Sequence, residues 1–144
     1  MDRFERLAIE AECTRLINHY ANLSDEGRWT ELAGLFTEDA AFARPSSPDV
    51  PIRGRQAILD GFASRPVLPG RRICANIVVT AESRDVATAF SVVAHYLGLG
   101  APAGGLPIND TQPPLIGSFA DRIVREGADW RFAERRGELL FRRP

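Results

Sequence analysis

The sequence predicts an α+β domain in which helices pack on a curved antiparallel sheet. Three observations carry this. Apolar residues recur at helical spacing through the first third of the chain and again beyond Gly54. Four long stretches rich in β-branched and aromatic residues fill the second half, divided by turn-forming residues. Helices come first and strands follow consecutively, the order of an α+β rather than an alternating α/β chain.

The first helix is expected from Arg3 to about Asn22. Phe4, Leu7, Ala8, Ala11, Leu16, Ile17 and Tyr20 lie on its apolar spacing, and Asp2 can cap its start. Ser24-Asp25-Glu26-Gly27 reads as the break. Trp29, Leu32, Ala33, Leu35 and Phe36 mark a short second helix. Ala40–Ala43 reads as a short strand, and Arg44–Arg53, with its prolines and serines, as a loop. A third helix follows Gly54, placing Ile58, Leu59 and Phe62 on one side and ending by Pro66, Pro69 and Gly70. Strands are expected at Ile73–Thr80, Val86–Leu97, Leu115–Arg125 and Trp130–Phe141. Gly98–Pro114 is rich in glycine and proline, and a loop of that length is usually functional or mobile.

The chain has 144 residues and a net charge of −1. That length suits one domain, 1–144, large enough to fold without disulfide or metal staples. Near-zero charge argues against nonspecific nucleic-acid binding. No apolar run could span a membrane, and the charged start lacks an apolar signal core, so the chain reads as cytoplasmic. The chain has eighteen arginines and no lysine, so Schiff-base lysine chemistry is excluded. Cys13 and Cys74 lack CxxC spacing and read as reduced; two histidines without paired spacing give no zinc signature, and there is no dinucleotide fingerprint. No metal and no organic cofactor is expected.

Four stretches resemble a known family. Ile17–Phe42 has a tyrosine, an aspartate five residues on, an aromatic residue and then Leu-Phe-Thr-Glu-Asp-Ala. Ile52–Phe62 has the glycine before the third helix, Arg71–Val79 a strand with an asparagine, and Asp121–Arg136 a hairpin with a tryptophan and a following arginine. Together they resemble the SnoaL-like group of the nuclear transport factor two-like superfamily, related to scytalone dehydratase, polyketide cyclases and ketosteroid isomerase. The resemblance implies a cone-shaped curved antiparallel sheet against three N-terminal helices (a cystatin-like fold), an apolar cavity, and a homodimer.

It also implies candidates. Tyr20 and Asp25 match the tyrosine and aspartate that dehydratase-like members place in the cavity. The histidine of those members falls on Arg72, so the Asp–His elimination dyad is incomplete. His95 follows the alternating Ala87, Ala89, Ser91 and Val93, and is the substitute acid–base group if that face lines the cavity. Arg135 matches a recurrent arginine of the last strand. The base of ketosteroid isomerase does not transfer, because Arg44-Pro45 stands where that family shows Asp-Pro.

The catalytic candidates are therefore Tyr20, Asp25 and His95. The substrate-binding candidates are Arg72, Arg135, Trp29, Phe42 and Phe62, for the last three of which core packing is the alternative. Asp25 or His95 would abstract a proton α to a carbonyl, Tyr20 would polarise that carbonyl, and an arginine would orient the ligand. The expected function is a cofactor-independent lyase, isomerase or cyclase acting on a hydrophobic cyclic molecule such as a polyketide- or steroid-like ketone. One alternative is a noncatalytic small-molecule binder in which Arg72 already neutralises Asp25. The other is an interaction subunit, like the small subunits of ring-hydroxylating dioxygenases, with a filled cavity and a large exposed apolar sheet face.

Overall fold

The computed structural model describes residues 1–98, 105–110 and 112–142. Helix α1 (Arg3–Glu26) starts in a capping box. The Asp2 carboxylate accepts from the Glu5 N–H at 2.8 Å, and the Glu5 carboxylate accepts from the Asp2 N–H at 2.9 Å. The helix runs one turn beyond the expected end at Asn22. Ser24, Asp25 and Glu26 stay helical, and the chain turns at Gly27, which takes φ 67° as a left-handed C-cap. A Cβ there would also meet Val67 Cγ2 at 2.7 Å. The stripe that α1 buries is Ile9, Cys13, Leu16, Ile17, Tyr20 and Leu23. Phe4 and Leu7 share the helical spacing yet stand exposed, since spacing defines a face but not how far along the helix its neighbour reaches.

Helices α2 (Trp29–Ala33) and α3 (Arg55–Ala63) flank strands β1 (Phe36–Ala43) and β2 (Ile52–Arg53). Strand β1 begins earlier than the expected Ala40, because Phe36 already pairs with Phe132. The loop expected over Arg44–Arg53 ends in β2, where Ile52 and Arg53 pair with Phe42 and Ala41. Then come β3 (Gly70–Ala81), β4 (Val86–Leu97), β5 (Leu115–Glu126) and β6 (Asp129–Leu139), close to the expected positions. The expected loop 98–114 lies partly outside the described residues.

The strand order is β2-β1-β6-β5-β4-β3 in one curved, unclosed sheet. Strands β3 to β6 are antiparallel throughout, while β1 joins β6 in parallel, so the sheet as a whole is mixed. Strand β3 is an edge, and α1 packs against it.

Register shifts in β3 and β6 help to decide which side chains face inward. In β3 the register shifts between Ala75 and Val78, around Asn76 at φ 51°, a conformation asparagine tolerates better than most residues. In β6 the register skips Ala133, between the Phe132–Ile123 and Glu134–Arg122 pairs. That extra residue reverses the alternation after Phe132 and turns Arg135 into the core.

Candidate functional site

The inner face of β4 carries Ala87, Ala89, Ser91 and Val93, all buried, and continues to His95. Opposite stand α1 and α3. Between them lies a cavity of about 320 Å³, at the lower end of the range for small-ligand pockets. Tyr20, Trp29, Phe42, Phe62, Val93 and Phe119 form its apolar wall. Phe62 stacks on Trp29 (centroids 5.5 Å apart) and on Phe42 (5.3 Å), so one aromatic shelf unites the three aromatic candidates.

Tyr20 lines this cavity and is the hub of its aromatic floor. Its ring lies 5.9–6.4 Å from those of Phe36, Phe42, Phe62, Phe119 and Phe132. Its hydroxyl makes no hydrogen bond among the described residues. Burial pushes the phenol above its ordinary pKa, against the fields of Arg135 and Arg72, so it remains a protonated donor at neutral pH.

His95 and Arg72 also line the cavity, and they are register partners across β4 and β3. Burial lowers the imidazole pKa from 6.5 to about 4, helped by the positive charge of Arg72 and opposed by Asp25. His95 is thus neutral at pH 7, a proton acceptor of low basicity.

Asp25 does not line the cavity. Its side chain is 3% exposed and is occupied by β3. It accepts the backbone N–H of Arg72 at 2.9 Å and the Arg72 Nη1 at 2.7 Å, with Arg71 Nη1 at 3.7 Å. Because β3 is an edge strand, that N–H has no strand to pair with, and the last turn of α1 supplies the acceptor instead. The Asp25 carboxylate, expected as a candidate base, is thus engaged by Arg72 rather than open to the cavity. Tyr20 and His95 share the cavity, and Asp25 sits behind it.

Arg135, expected among the substrate-binding candidates, is buried. It lies in the core rather than in the cavity lining, its side chain fully buried and paired at 3.0 Å with Asp121, itself fully buried. The faces of Phe119, Tyr20 and Phe132 surround its guanidinium, with centroids at 3.9–4.6 Å. Burial pushes the Asp121 carboxyl upward against the pull of Arg135. Arg135 contacts the rings that wall the cavity. Asp121 was missed from the sequence, although its parity with Phe119 and Ile123 on β5 signals an inward carboxylate that needs a cation. Arg44 and Arg65, which line the cavity, were missed as well, since arginine in loop sequence gives no periodic signal.

Among the described residues, no three His, Cys, Asp or Glu side chains gather as a metal site, and no helix is long and apolar enough to cross a membrane.

An α+β chain whose curved, unclosed sheet and helices enclose an aromatic cavity has the architecture of the nuclear transport factor two-like class, also described as cystatin-like. The chain belongs to the SnoaL-like domain family, whose sequence model matches residues 5–136. Among solved structures it is similar to a candidate scytalone dehydratase from Novosphingobium aromaticivorans. That match has 21% identity and a TM-score of 0.73, covering 91% of this chain and 83% of that one. It is also similar to a variant of a protein of unknown function from Mycobacterium tuberculosis, with 26% identity and a TM-score of 0.74, covering 90% and 70%. A candidate dehydratase from Streptomyces avermitilis has 12% identity and a TM-score of 0.76, covering 92% and 97%. A comparison with curated proteins found no match.

Proposed function

We propose that the cavity binds a small hydrophobic cyclic molecule bearing a carbonyl and moves a proton on it without metal or organic cofactor, as a lyase, isomerase or cyclase. One observation carries this reading: a neutral imidazole (His95), a protonated phenol (Tyr20) and a guanidinium (Arg72) line one cavity whose remaining wall is largely aromatic. In this reading His95 takes the proton from the carbon next to the carbonyl. The electron pair moves onto the carbonyl oxygen, where Tyr20 donates a hydrogen bond and Arg72 supplies positive charge. Asp25 is a positioning residue that fixes Arg72 beside His95. Returning the proton to another carbon isomerises the ligand, and expelling a β-hydroxyl as water dehydrates it. A base with a pKa of about 4 suits an α-carbon activated on both sides.

The test is deuterium exchange into β-tetralone, whose α-carbon is activated by both ring and carbonyl, followed by NMR. Wild-type protein should exchange well above the buffer rate, His95→Ala should fall to that rate, and Tyr20→Phe should lie between. No enhancement by the wild type would overturn the enzymatic reading. Binding without exchange would leave a noncatalytic binder, the reading favoured by the neutralisation of Asp25 by Arg72. A cavity of this volume speaks against the interaction-subunit alternative, which expects a filled interior.

We further propose a single domain that works as a homodimer. The outer sheet face exposes Ile73, Val78, Phe90 and Tyr96, which supports pairing through that surface.

A further inference from the structure

The cavity carries a charge imbalance that the proton-transfer reading leaves unused. Three arginines line it, Arg44, Arg65 and Arg72, and no aspartate or glutamate does so among the described residues. Arg72 is offset by Asp25. Arg44 and Arg65 form no ion pair with any carboxylate among the described residues. Asp49 and Asp60, each five residues from one of these arginines in sequence, bond elsewhere: Asp49 to Arg136 at 3.1 Å and Asp60 to Gln56 at 3.0 Å.

Arg44 is half-buried. Its Nη2 donates to the Gly61 carbonyl at 2.9 Å, and its guanidinium lies 5.4 Å from the centre of the Phe62 ring. A guanidinium has five N–H donors, so donors remain for a ligand. Arg65, just beyond α3, is exposed. Burial first and the like charge of Arg65 second lower the pKa of Arg44. Two cations that line one cavity repel each other, and a bound anion relieves that repulsion.

We infer that Arg44 and Arg65 form an anion subsite of the cavity, and that its ligand is a hydrophobic ring compound carrying a carboxylate. The carboxylate meets the planar fork of Arg44, with Arg65 adding charge, while the ring lies along Phe62, Phe42 and Trp29. The inference rests on the reading of the cavity as a small-molecule site and narrows its substrate class from neutral ketones to acids.

Calorimetric titration with β-naphthoate and with the neutral isostere methyl β-naphthyl ketone tests it. Wild-type protein should bind the acid about tenfold or more tighter than the ketone, the scale of one hydrogen bond to a charged group. Arg44→Gln should erase most of that preference. Arg65→Gln, at an exposed position where folding is not at stake, should reduce it several-fold. Ketone affinity, which involves no anion, should fall less than acid affinity in both variants. Equal affinity of the wild type for both probes, or a preference that survives in the double variant, overturns the anion subsite and leaves the cavity reading standing. Failure of both probes to bind the wild type overturns both.

Discussion

Replacing Asp25 distinguishes a positioning carboxylate from a catalytic one. The Asp25 side chain is 3% exposed and accepts two hydrogen bonds, both from Arg72. Asp25→Ala strands the Arg72 guanidinium and an edge-strand N–H together. Removing one partner of a fully buried pair costs about 3–5 kcal/mol. The Arg72 side chain is 26% exposed, so water recovers part of that, and we expect a loss of about 2–4 kcal/mol. The 59% exposed Arg71 adds little. Asp25→Asn keeps one acceptor oxygen and should cost about 1–2 kcal/mol. Urea unfolding followed by circular dichroism measures both. With slopes of about 1–3 kcal/mol/M, the alanine midpoint should fall by about 1 M or more. Adding Arg72→Met to Asp25→Ala should recover part of the loss, because no unpaired charge then remains. Equal costs for Asn and Ala, or a negligible cost for Ala, would refute the positioning argument. So would an Asp25→Asn protein of unchanged stability that had lost all exchange activity, since that is the behaviour of a base.

Two other predictions concern buried charge. The His95 pKa lies below its ordinary value of 6.5, at about 4, so the folded state resists protonation. The associated stability is present above pH 6.5 and is lost as the pH falls through about 4, and a His95→Gln variant should lack that slope in acid unfolding. An NMR titration of the His95 ring should show it neutral until near pH 4, and a midpoint near 6.5 would remove the physical basis for its lowered basicity. Asp121→Ala should cost about 3–5 kcal/mol, because the Arg135 side chain is 0% exposed and loses its only carboxylate among the described residues. Asp121→Leu with Arg135→Met should be markedly more stable than Asp121→Ala in thermal unfolding, and similar losses in both would show that packing rather than charge governs the site.

Much of the fold is legible along the chain because it depends on local periodicity. The spacing of Leu16, Ile17 and Tyr20 gives α1, and the alternation Ala87, Ala89, Ser91, Val93 places His95 on the inner face. The same alternation fails in β6, where the skip at Ala133 inverts the parity and buries Arg135 beside Asp121. A bulge is a property of two strands in register, not of one strand's sequence. Parallel pairing of β1 with β6 is likewise set by packing, since both strands are too distant in sequence for a turn to fix their direction.

By itself, then, the sequence determined the helices and the four long strands, their order, the aromatic character of the interior and the absence of lysine chemistry, because these follow from residue type and spacing. Only the tertiary structure decided which charges meet. Asp25 and Arg72 are 47 residues apart in the chain yet within 2.7 Å in space, whereas Arg44 and Arg65 line a cavity with no carboxylate partner among the described residues. Electrostatic interaction depends on distance and burial through space, and linear order specifies neither.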